Sequence, residues 1–336
     1  MAIGQTVVAA STLTAGIRAD FANAYKSSYE ASKSRLAGVM DLGLPSDKLT
    51  ELFAYFESAP YPRLWKRGDA ISSDEFGSVG FNVTNRDFGI RIAWHENDRE
   101  DDQTRSLMDQ AREAGRNFGT LPERIFFQIL LNSTDNNLLP AVPLAPDGAA
   151  FFSTTSGAGS ARFGITNGNL LTGSAVASSA AIRNDFFSAI EQLRGFQDTQ
   201  GQPLWNDNIL DGGFTVVYGV HNDQVFREAF QQGRTIAGAL TSTSNAAVTN
   251  IIMESGLNVD LWSTQRIPSG NDDWYVFAKD APHKPVFQMV RRPLRESFGN
   301  MENSDSARET KIEHVQWDSR EGYGLMLPYQ SIQINN

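Results

Sequence analysis

The sequence predicts an α+β protein in which strands near both ends belong to one discontinuous domain, with a second unit inserted between them. Strict alternation of apolar residues from Phe88 to Trp94 predicts a half-buried strand. A long helix directly after it is predicted by an apolar stripe at helical spacing: Leu107, Ala111, Ala114 and Phe118. Further strand patterns return after residue 210, and the last of them would rejoin the early strand and helix.

Composition narrows the possible classes of protein. The chain has 336 residues, of which 40% are apolar and 10% aromatic, enough for substantial cores. Its net charge of −10 disfavours non-specific binding along nucleic acid, which requires basic surface. It contains no cysteine, which excludes disulfides, thiolate nucleophiles and cysteine-bound zinc.

The first residues do not resemble a targeting or membrane segment. No lysine or arginine precedes Arg18, and Gln5 and Thr6 interrupt the apolar start. We therefore expect no signal peptide. No run of about 18 apolar residues occurs, so we also expect no membrane-spanning helix.

Two helices are predicted before residue 60. The first has four residues near one helical face: Phe21, Tyr25, Tyr29 and Leu36. Gly43 to Pro45 would end it, and Ser46 could cap a second helix. That second helix is predicted from four more apolar residues: Leu49, Leu52, Phe53 and Phe56.

The pattern changes after residue 60. Prolines and glycines punctuate residues 60–80, which predicts an extended, hairpin-like excursion. Thr120 to Glu123 has capping-box spacing, so the long helix either restarts or bends there.

The inserted unit begins with a long polar loop. Residues 132–181 are poor in charge, and a helix capped by Ser178 or Ser179 follows. Strands are then predicted at 214–220, 250–255, 257–263, 273–279 and 285–292. The tail predicts a final strand pair around Gly322 and Gly324.

An acidic cluster lies where the first strand would meet the long helix. His95 is followed within seven residues by five acidic side chains: Glu96, Asp98, Glu100, Asp101 and Asp102. The second histidine of the zinc-binding H-E-x-x-H motif is missing, and so is the glycine that a calcium loop needs. Acidic residues stabilise a helix N-terminus, so we favour a solvated strand-to-helix corner over a metal site.

Other local signatures of catalysis do not occur. The sequence has no glycine-rich phosphate loop after a strand and no G-x-S-x-G elbow, although residues assembled only in space stay open. Lys66 and Arg67 beside Trp65 fit contact with a protein partner better than a nucleic-acid site.

Several segments, in order, resemble the Mu-like phage major head subunit family. The likeness runs from Trp65 to Asn132, continues through DGAAFFSTTSG, DTQGQPLW and FTVVYGV, and ends in VQWDSREGYG. It covers most of residues 60–328 and implies the Hong Kong 97-type capsid fold. The order and spacing of the segments, more than any one motif, carry the resemblance.

The resemblance also implies a division of the chain. Residues 1–59 would be an N-terminal arm and residues 60–80 an E-loop. A discontinuous peripheral domain would comprise residues 81–139 and 291–336, with its spine helix starting at Asp101 and Asp102. Residues 140–290 would be the axial domain. The candidates for contacts between subunits are Arg63, Trp65, Lys66, Arg67, Asp69 and Glu75.

The function implied is a major capsid protein of a tailed double-stranded DNA phage. Copies would form hexamers and pentamers of an icosahedral head, with no catalysis, no cofactor and no membrane. Scaffold, portal and decoration proteins would be partners, and DNA would be loosely enclosed contents. Assembly would take place in the host cytoplasm and the protein would end in the virion.

Two alternatives stay open at this stage. A cellular nanocompartment shell (encapsulin-like) shares the fold and would hold cargo enzyme rather than DNA. A metal-dependent hydrolase would use His95 and Asp101 of the acidic cluster.

Two expectations concern assembly. Some capsids of this fold join an E-loop lysine covalently to a neighbour, and Lys66 is the only lysine between Lys48 and Lys279. Its charged and aromatic surroundings lead us to expect non-covalent shells. Residues 1–45 carry few apolar side chains, so we expect them to lie on neighbouring subunits.

Overall fold

The computed structural model describes residues 10–56, 64, 78–95, 97, 106–174, 176, 178–205, 212–232, 234–236, 247–281, 283–300 and 304–336. The helices are α1 (Ala10–Leu36), α2 (Ser106–Gly119), α3 (Leu121–Leu130), α4 (Ser179–Arg194), α5 (Asp223–Phe230), α6 (Ile251–Glu254) and α7 (Asp305–Thr310). The first strands are β1 (Met40–Pro45), β2 (Thr50–Phe56), β3 (Ser78–Thr84), β4 (Arg86–His95), β5 (Leu170–Thr172) and β6 (Phe214–Gly219). The later strands are β7 (Arg234–Ile236), β8 (Ala247–Thr249), β9 (Val259–Thr264), β10 (Trp274–Ala278), β11 (Val286–Gly299), β12 (Ile312–Leu325) and β13 (Ser331–Asn335).

Two larger sheets organise the described residues. One has four strands in the order β1-β11-β12-β4 and the other has five in the order β5-β13-β10-β6-β9. In the first sheet β12 pairs antiparallel with both β11 and β4, whereas β1 runs parallel to β11. Strands distant in sequence therefore meet in one sheet, which confirms the predicted mixture of helices and sheets with late strands rejoining an early one.

The four-stranded sheet carries helices on one face. Ile92 and Trp94 of β4 and Val315 and Trp317 of β12 point into a core shared with α1, α2 and α3. The predicted stripe of α2 is buried there: Leu107, Ala111, Ala114 and Phe118. The helix indeed restarts at the TLPE segment, because α3 begins with a proline in its first turn and follows α2 after Thr120 alone.

The five-stranded sheet forms a second core. Strands β6 and β10 are buried along their whole length, as central strands covered on both faces are. Helix α4 packs on this sheet, and the Ser178 side chain caps it by accepting a hydrogen bond from the Ala181 backbone N–H at 3.2 Å.

Two predicted elements are wrong in type. Residues 50–56 form strand β2, not a helix, and pair antiparallel with β3 from Thr50↔Thr84 to Phe56↔Ser78. Phe53 contacts Phe287 of β11, whereas Leu52 is 72% exposed, so the alternation of a strand decides the structure. Residues 251–254 form α6 rather than a strand, because the buried Asn250 side chain accepts a hydrogen bond from the Ile252 N–H and starts a helical turn.

The tail also differs from the expected strand pair. β12 is one continuous strand that passes straight through Gly322 and Gly324. After it, β13 joins the five-stranded sheet, where it pairs with β10 and β5. The last residues therefore lie in the second sheet, although the sequence division had assigned residues 291–336 to the first unit.

Helix α1 packs on its own chain. Its Ile17, Phe21 and Leu36 side chains are fully buried in the first core. β1 then joins the four-stranded sheet beside β11. The few apolar side chains of the described part of this segment are concentrated on the face that meets the sheet and α2. Contact of residues 1–45 with neighbouring subunits stays a prediction.

Candidate functional site

A stack of two aromatic rings fixes α1 to the sheet. The rings of Phe21 and Trp317 are 3.7 Å apart between centroids and inclined by 6°. The Trp317 Nε1–H donates to Glu296 Oε2 at 3.1 Å, and Arg18 of α1 forms an ion pair with the same carboxylate. An apolar contact and a charged contact thus hold the same helix turn.

The two long helices approach each other through glycines. A Cβ added to Gly115 would lie 2.5 Å from the Phe21 carbonyl oxygen, and one added to Gly119 would lie 2.8 Å from the Tyr25 carbonyl oxygen. Such distances are below van der Waals contact. The backbones of α1 and α2 can therefore touch only because side chains are missing at these two positions.

The face of the four-stranded sheet opposite the helices is charged. It carries a group that we call the arginine ladder: Arg91, Arg292, Arg295 and Arg320, with the carboxylates of Asp87 and Asp318. Register places these residues on one side of the sheet, because Asp318 lies between Arg295 and Gly89, and Arg320 lies between Arg292 and Asp87.

Ion pairs link most of the ladder. Asp318 accepts a hydrogen bond from Arg295 Nε at 2.9 Å and another from Arg292. Asp87 Oδ1 lies 3.4 Å from Arg292 Nη2 and 3.7 Å from Arg320 Nε. Burial opposes the charged form of Asp318, but the Arg295 hydrogen bond and the Arg292 charge prevail and lower the pKa of Asp318.

The β2–β3 hairpin covers the remainder of that face. Val83, Phe287 and Met289 form a small buried cluster against which Phe53 and Phe81 pack. Gly324 lies under it, where an added Cβ would meet Phe287 and Val83 at 2.5 and 2.7 Å. One end of the sheet face is thus apolar and covered, whereas the other end carries the arginine ladder.

A groove opens beside the hairpin and holds one buried carboxylate. Its cavity measures about 460 Å³, and Glu321 and Tyr323 lie in its lining together with the 138–148 loop. Glu321 accepts hydrogen bonds from Ser319 Oγ at 2.7 Å, Gln288 Nε2 at 2.7 Å and Tyr323 Oη at 2.6 Å. Burial first, and then the Glu321 charge, raise the pKa of Tyr323 well above its usual value.

A buried arginine organises the long loop of the second unit. The Arg162 side chain is 1% exposed and forms a two-point ion pair with Asp147, at 2.9 and 3.1 Å. Its Nη1 also donates to the carbonyls of Ala150 and Phe151 and to Asn169 Oδ1. The polar loop predicted from residue 132 onward is held by this hydrogen-bonded charge and also by buried apolar side chains such as Leu139 and Phe151.

Most residues singled out from the sequence fall in parts of the chain that the structure does not describe. These are the contact candidates Arg63, Trp65, Lys66, Arg67, Asp69 and Glu75 and the helix-start candidates Asp101 and Asp102. Of the acidic cluster, His95 is described: it ends β4, and its Nδ1 accepts a hydrogen bond from the Asn97 N–H at 3.2 Å.

Neither a metal cluster nor a membrane span is found within the described ranges. No three histidine, cysteine, aspartate or glutamate side chains there come together as metal ligands. No described helix is long and apolar enough to cross a bilayer.

The arginine ladder and the Arg162 cluster escaped the sequence analysis. The run from Val290 to Arg295 carries three arginines, a usable signal, but the ladder exists only once three strands are paired in register. Nothing around Arg162 in the sequence indicates that its side chain is buried.

The chain is similar to solved phage capsid structures. The capsid of cyanophage P-SCSP1u superposes with a TM-score of 0.54 at 11% identity, covering 88% of this chain and 86% of that one. The mature capsid of bacteriophage PhiM1 superposes with a TM-score of 0.54 at 11% identity, covering 89% of this chain and 85% of that one. A chain of Mycobacterium phage Patience superposes with a TM-score of 0.52 at 12% identity, covering 94% of this chain and 86% of that one.

These likenesses show the fold, which is the Hong Kong 97-type capsid fold expected from the sequence. No match was found among curated protein sequences. The model of the phage capsid protein family matches residues 78–327, which include strands of both large sheets and helices α2 and α3. The chain belongs to the phage capsid protein family.

Proposed function

We propose that copies of this chain form the hexamers and pentamers of an icosahedral head that encloses the double-stranded DNA of a tailed phage. The observation that carries this proposal is the family match over residues 78–327. The protein is a major capsid protein, so its work is assembly into a shell rather than catalysis.

The division of the chain fits this role with adjusted limits. We assign the peripheral domain to the four-stranded sheet with α2 and α3, and the axial domain to the five-stranded sheet. The E-loop then leaves from the β2–β3 hairpin, so its base starts at Thr50 rather than at residue 60. The described part of the N-terminal arm, from Ala10 onward, docks on the peripheral domain of its own chain.

The proposal also extends to the type of phage, the partners and the place of assembly. A relationship to Mu-like head proteins is proposed from the sequence segments that resemble that family. Scaffold, portal and decoration proteins are proposed partners, and assembly is proposed to take place in the host cytoplasm before the protein becomes part of the virion. The net charge of −10 supports loose enclosure of DNA, because a wall that bound packaged DNA tightly would hinder filling and ejection.

Negative-stain microscopy of the expressed chain tests the proposal. We expect closed shells, and only small soluble oligomers under all assembly conditions would contradict it. Phage particles that contain this chain should enclose double-stranded DNA, whereas shells filled with cargo enzyme would favour the nanocompartment alternative. Metal analysis addresses the hydrolase alternative, since stoichiometric transition metal bound through His95 would favour it.

A further inference from the structure

We propose that the groove beside residues 322–325 of β12 binds an extended peptide from a partner protein, with a basic side chain of that peptide against Glu321. We call this place the β12 slot; it lies between the β2–β3 hairpin and the 138–148 loop, and its cavity measures about 460 Å³. The peptide would add one strand to the four-stranded sheet, antiparallel to β12 and in line with β4.

The strand edge in the slot is open. β11 pairs with β12 through Leu325, whereas β4 begins at Arg86, opposite Glu321. Among the described residues, no strand therefore pairs with the other edge of 322–325. An open strand edge presents N–H and C=O groups to which an extended peptide can bind.

Walls cover the slot on both faces of the sheet. Successive residues of a strand point to opposite faces, so Tyr323 and Leu325 face the helices and Gly324 faces the hairpin. The hairpin lines the slot on one face, and the 138–148 loop lines it on the other, where Leu139 belongs to the core under the helices. An added strand would thus be covered on both faces, as a buried strand is.

The loop that forms one wall is unsuited to pairing with β12 itself. It has a proline at every third residue: Pro140, Pro143 and Pro146. Proline has no N–H to donate to a sheet, and this spacing favours the extended polyproline II conformation. Leu144 lies in the same wall and is 60% exposed. The loop therefore leaves the edge of β12 open and offers an apolar side chain to a ligand.

Glu321 gives the slot a negative charge without a counter-ion. Glu321 is 8% exposed, and no described lysine, arginine or histidine forms an ion pair with it. Arg86 is its neighbour across the β4–β12 pairing, yet the two side chains are not bonded to each other. A carboxylate can accept about four hydrogen bonds, and Glu321 accepts three. Because buried charges are normally paired, a basic side chain in the slot would complete the site.

This chemistry favours a partner with a basic residue beside apolar ones. In an antiparallel addition, the residue opposite Tyr323 lies on the same face as Glu321, and the residue opposite Gly324 faces the hairpin. A lysine or arginine suits the first position, and an apolar side chain suits the second. Residues 1–9 of this chain contain no lysine or arginine, so they lack the charge that complements Glu321. A second copy of the chain is the competing occupant, and the experiment separates it.

Fluorescence anisotropy with synthetic peptides tests the slot on dissociated full-length subunits. The probes are a fluorescein-labelled Thr-Val-Phe-Lys-Thr peptide and two versions with leucine or isoleucine in place of phenylalanine. One matched control replaces lysine by norleucine, and another carries backbone N-methyl groups, which cannot donate to a strand edge. We expect saturable binding of a lysine probe, about tenfold weaker binding of its norleucine control and no binding of its N-methylated control.

Variants inside and outside the slot complete the test. Glu321→Gln should weaken binding of the lysine probe about tenfold and leave the norleucine control unchanged. Glu313→Gln should change neither, because Glu313 is also buried on β12 but lies outside the slot. Leu144→Arg should weaken binding of the lysine probe, whereas Leu52→Arg on the hairpin should not. Thermal melts check folding, and the exposed Leu144 keeps the test decisive if Glu321→Gln does not fold.

Four results would overturn the inference. They are no saturable binding of any lysine probe, equal binding of the N-methylated control, an unchanged preference for lysine in Glu321→Gln, and binding to subunits but not to assembled shells. The last would show that a second copy fills the slot. The measurements on subunits need no assembly, so a wild-type protein that never forms shells would refute only the proposed function.

Discussion

The indole of Trp317 lies flat on the ring of Phe21, with 3.7 Å between the ring centroids. Trp317 belongs to the central strand β12, and Phe21 belongs to the first described helix of the chain. Almost three hundred residues apart, they connect the N-terminal helix to the sheet that the tail completes. The N-terminal helix is therefore part of the subunit's folding unit.

Replacing Phe21 by alanine should destabilise the dissociated subunit. The side chain is fully buried, and removing a buried phenylalanine costs about 3–5 kcal/mol. Urea unfolding of unassembled subunits measures this change. Leu49→Ala serves as control because Leu49 is 52% exposed, and equal losses in the two variants would show that the stack contributes little.

Gly115→Ala should lower the stability of the folded subunit, although helices normally favour alanine over glycine. Alanine is normally about 1 kcal/mol better than glycine in a helix, but here its Cβ would meet the Phe21 carbonyl oxygen at 2.5 Å. Gly195→Ala is the control, because the same atom there would meet its nearest neighbour at 3.4 Å. Thermal melts compare them, and a Gly115→Ala protein more stable than wild type would contradict the close approach of α1 and α2.

Arg162→Leu should leave Asp147 and two loop carbonyls without their donor. Breaking a buried ion pair by removing one partner costs about 3–5 kcal/mol. The comparison is Arg227→Leu, which removes an exposed ion pair with Asp223 on α5 and should lower the free energy of unfolding much less. Chemical denaturation gives both values, and similar small losses would mean that the loop does not depend on the Arg162 cluster.

The subunit should lose stability in acid through Asp318. Because its pKa is lower in the folded protein, Asp318 binds a proton more weakly there than in the unfolded chain. Its stabilising contribution is complete above the ordinary aspartate pKa of about 3.9 and is lost as the pH falls through the lower folded value. Unfolding free energies of wild type and Asp318→Asn, measured from neutral to acidic pH, should converge below pH about 4, and curves that stay parallel would refute this.

Asp101→Asn and Asp102→Asn should each lower the free energy of unfolding by no more than about 1 kcal/mol. Asparagine can still cap a helix, but it loses the attraction between the aspartate charge and the helix dipole. Their melting curves should be indifferent to EDTA, as should that of the wild type. A large drop caused by EDTA in wild type but not in these variants would instead show a metal site.

The sequence by itself determined the class of fold, the main strand-to-helix unit and the family resemblance. Two patterns predicted their elements correctly: the alternation from Phe88 to Trp94 and the apolar stripe of α2. Each is a long segment with a single period, and such a segment fits one type of secondary structure much better than another. The buried strands β6 and β10 were found for a similar reason, since continuous apolar runs fit central strands.

The tertiary structure alone decided the type of short segments and the partners of each strand. Leu49, Leu52, Phe53 and Phe56 fit a helical period, yet Phe53 gains more by packing on Phe287 within a paired hairpin. The destination of β13 and the arginine ladder likewise depend on register between strands that are far apart in the sequence, as are Asp87 and Arg320. A pattern within one segment reports which of its faces is buried, but which distant segment covers that face is a property of the packed chain.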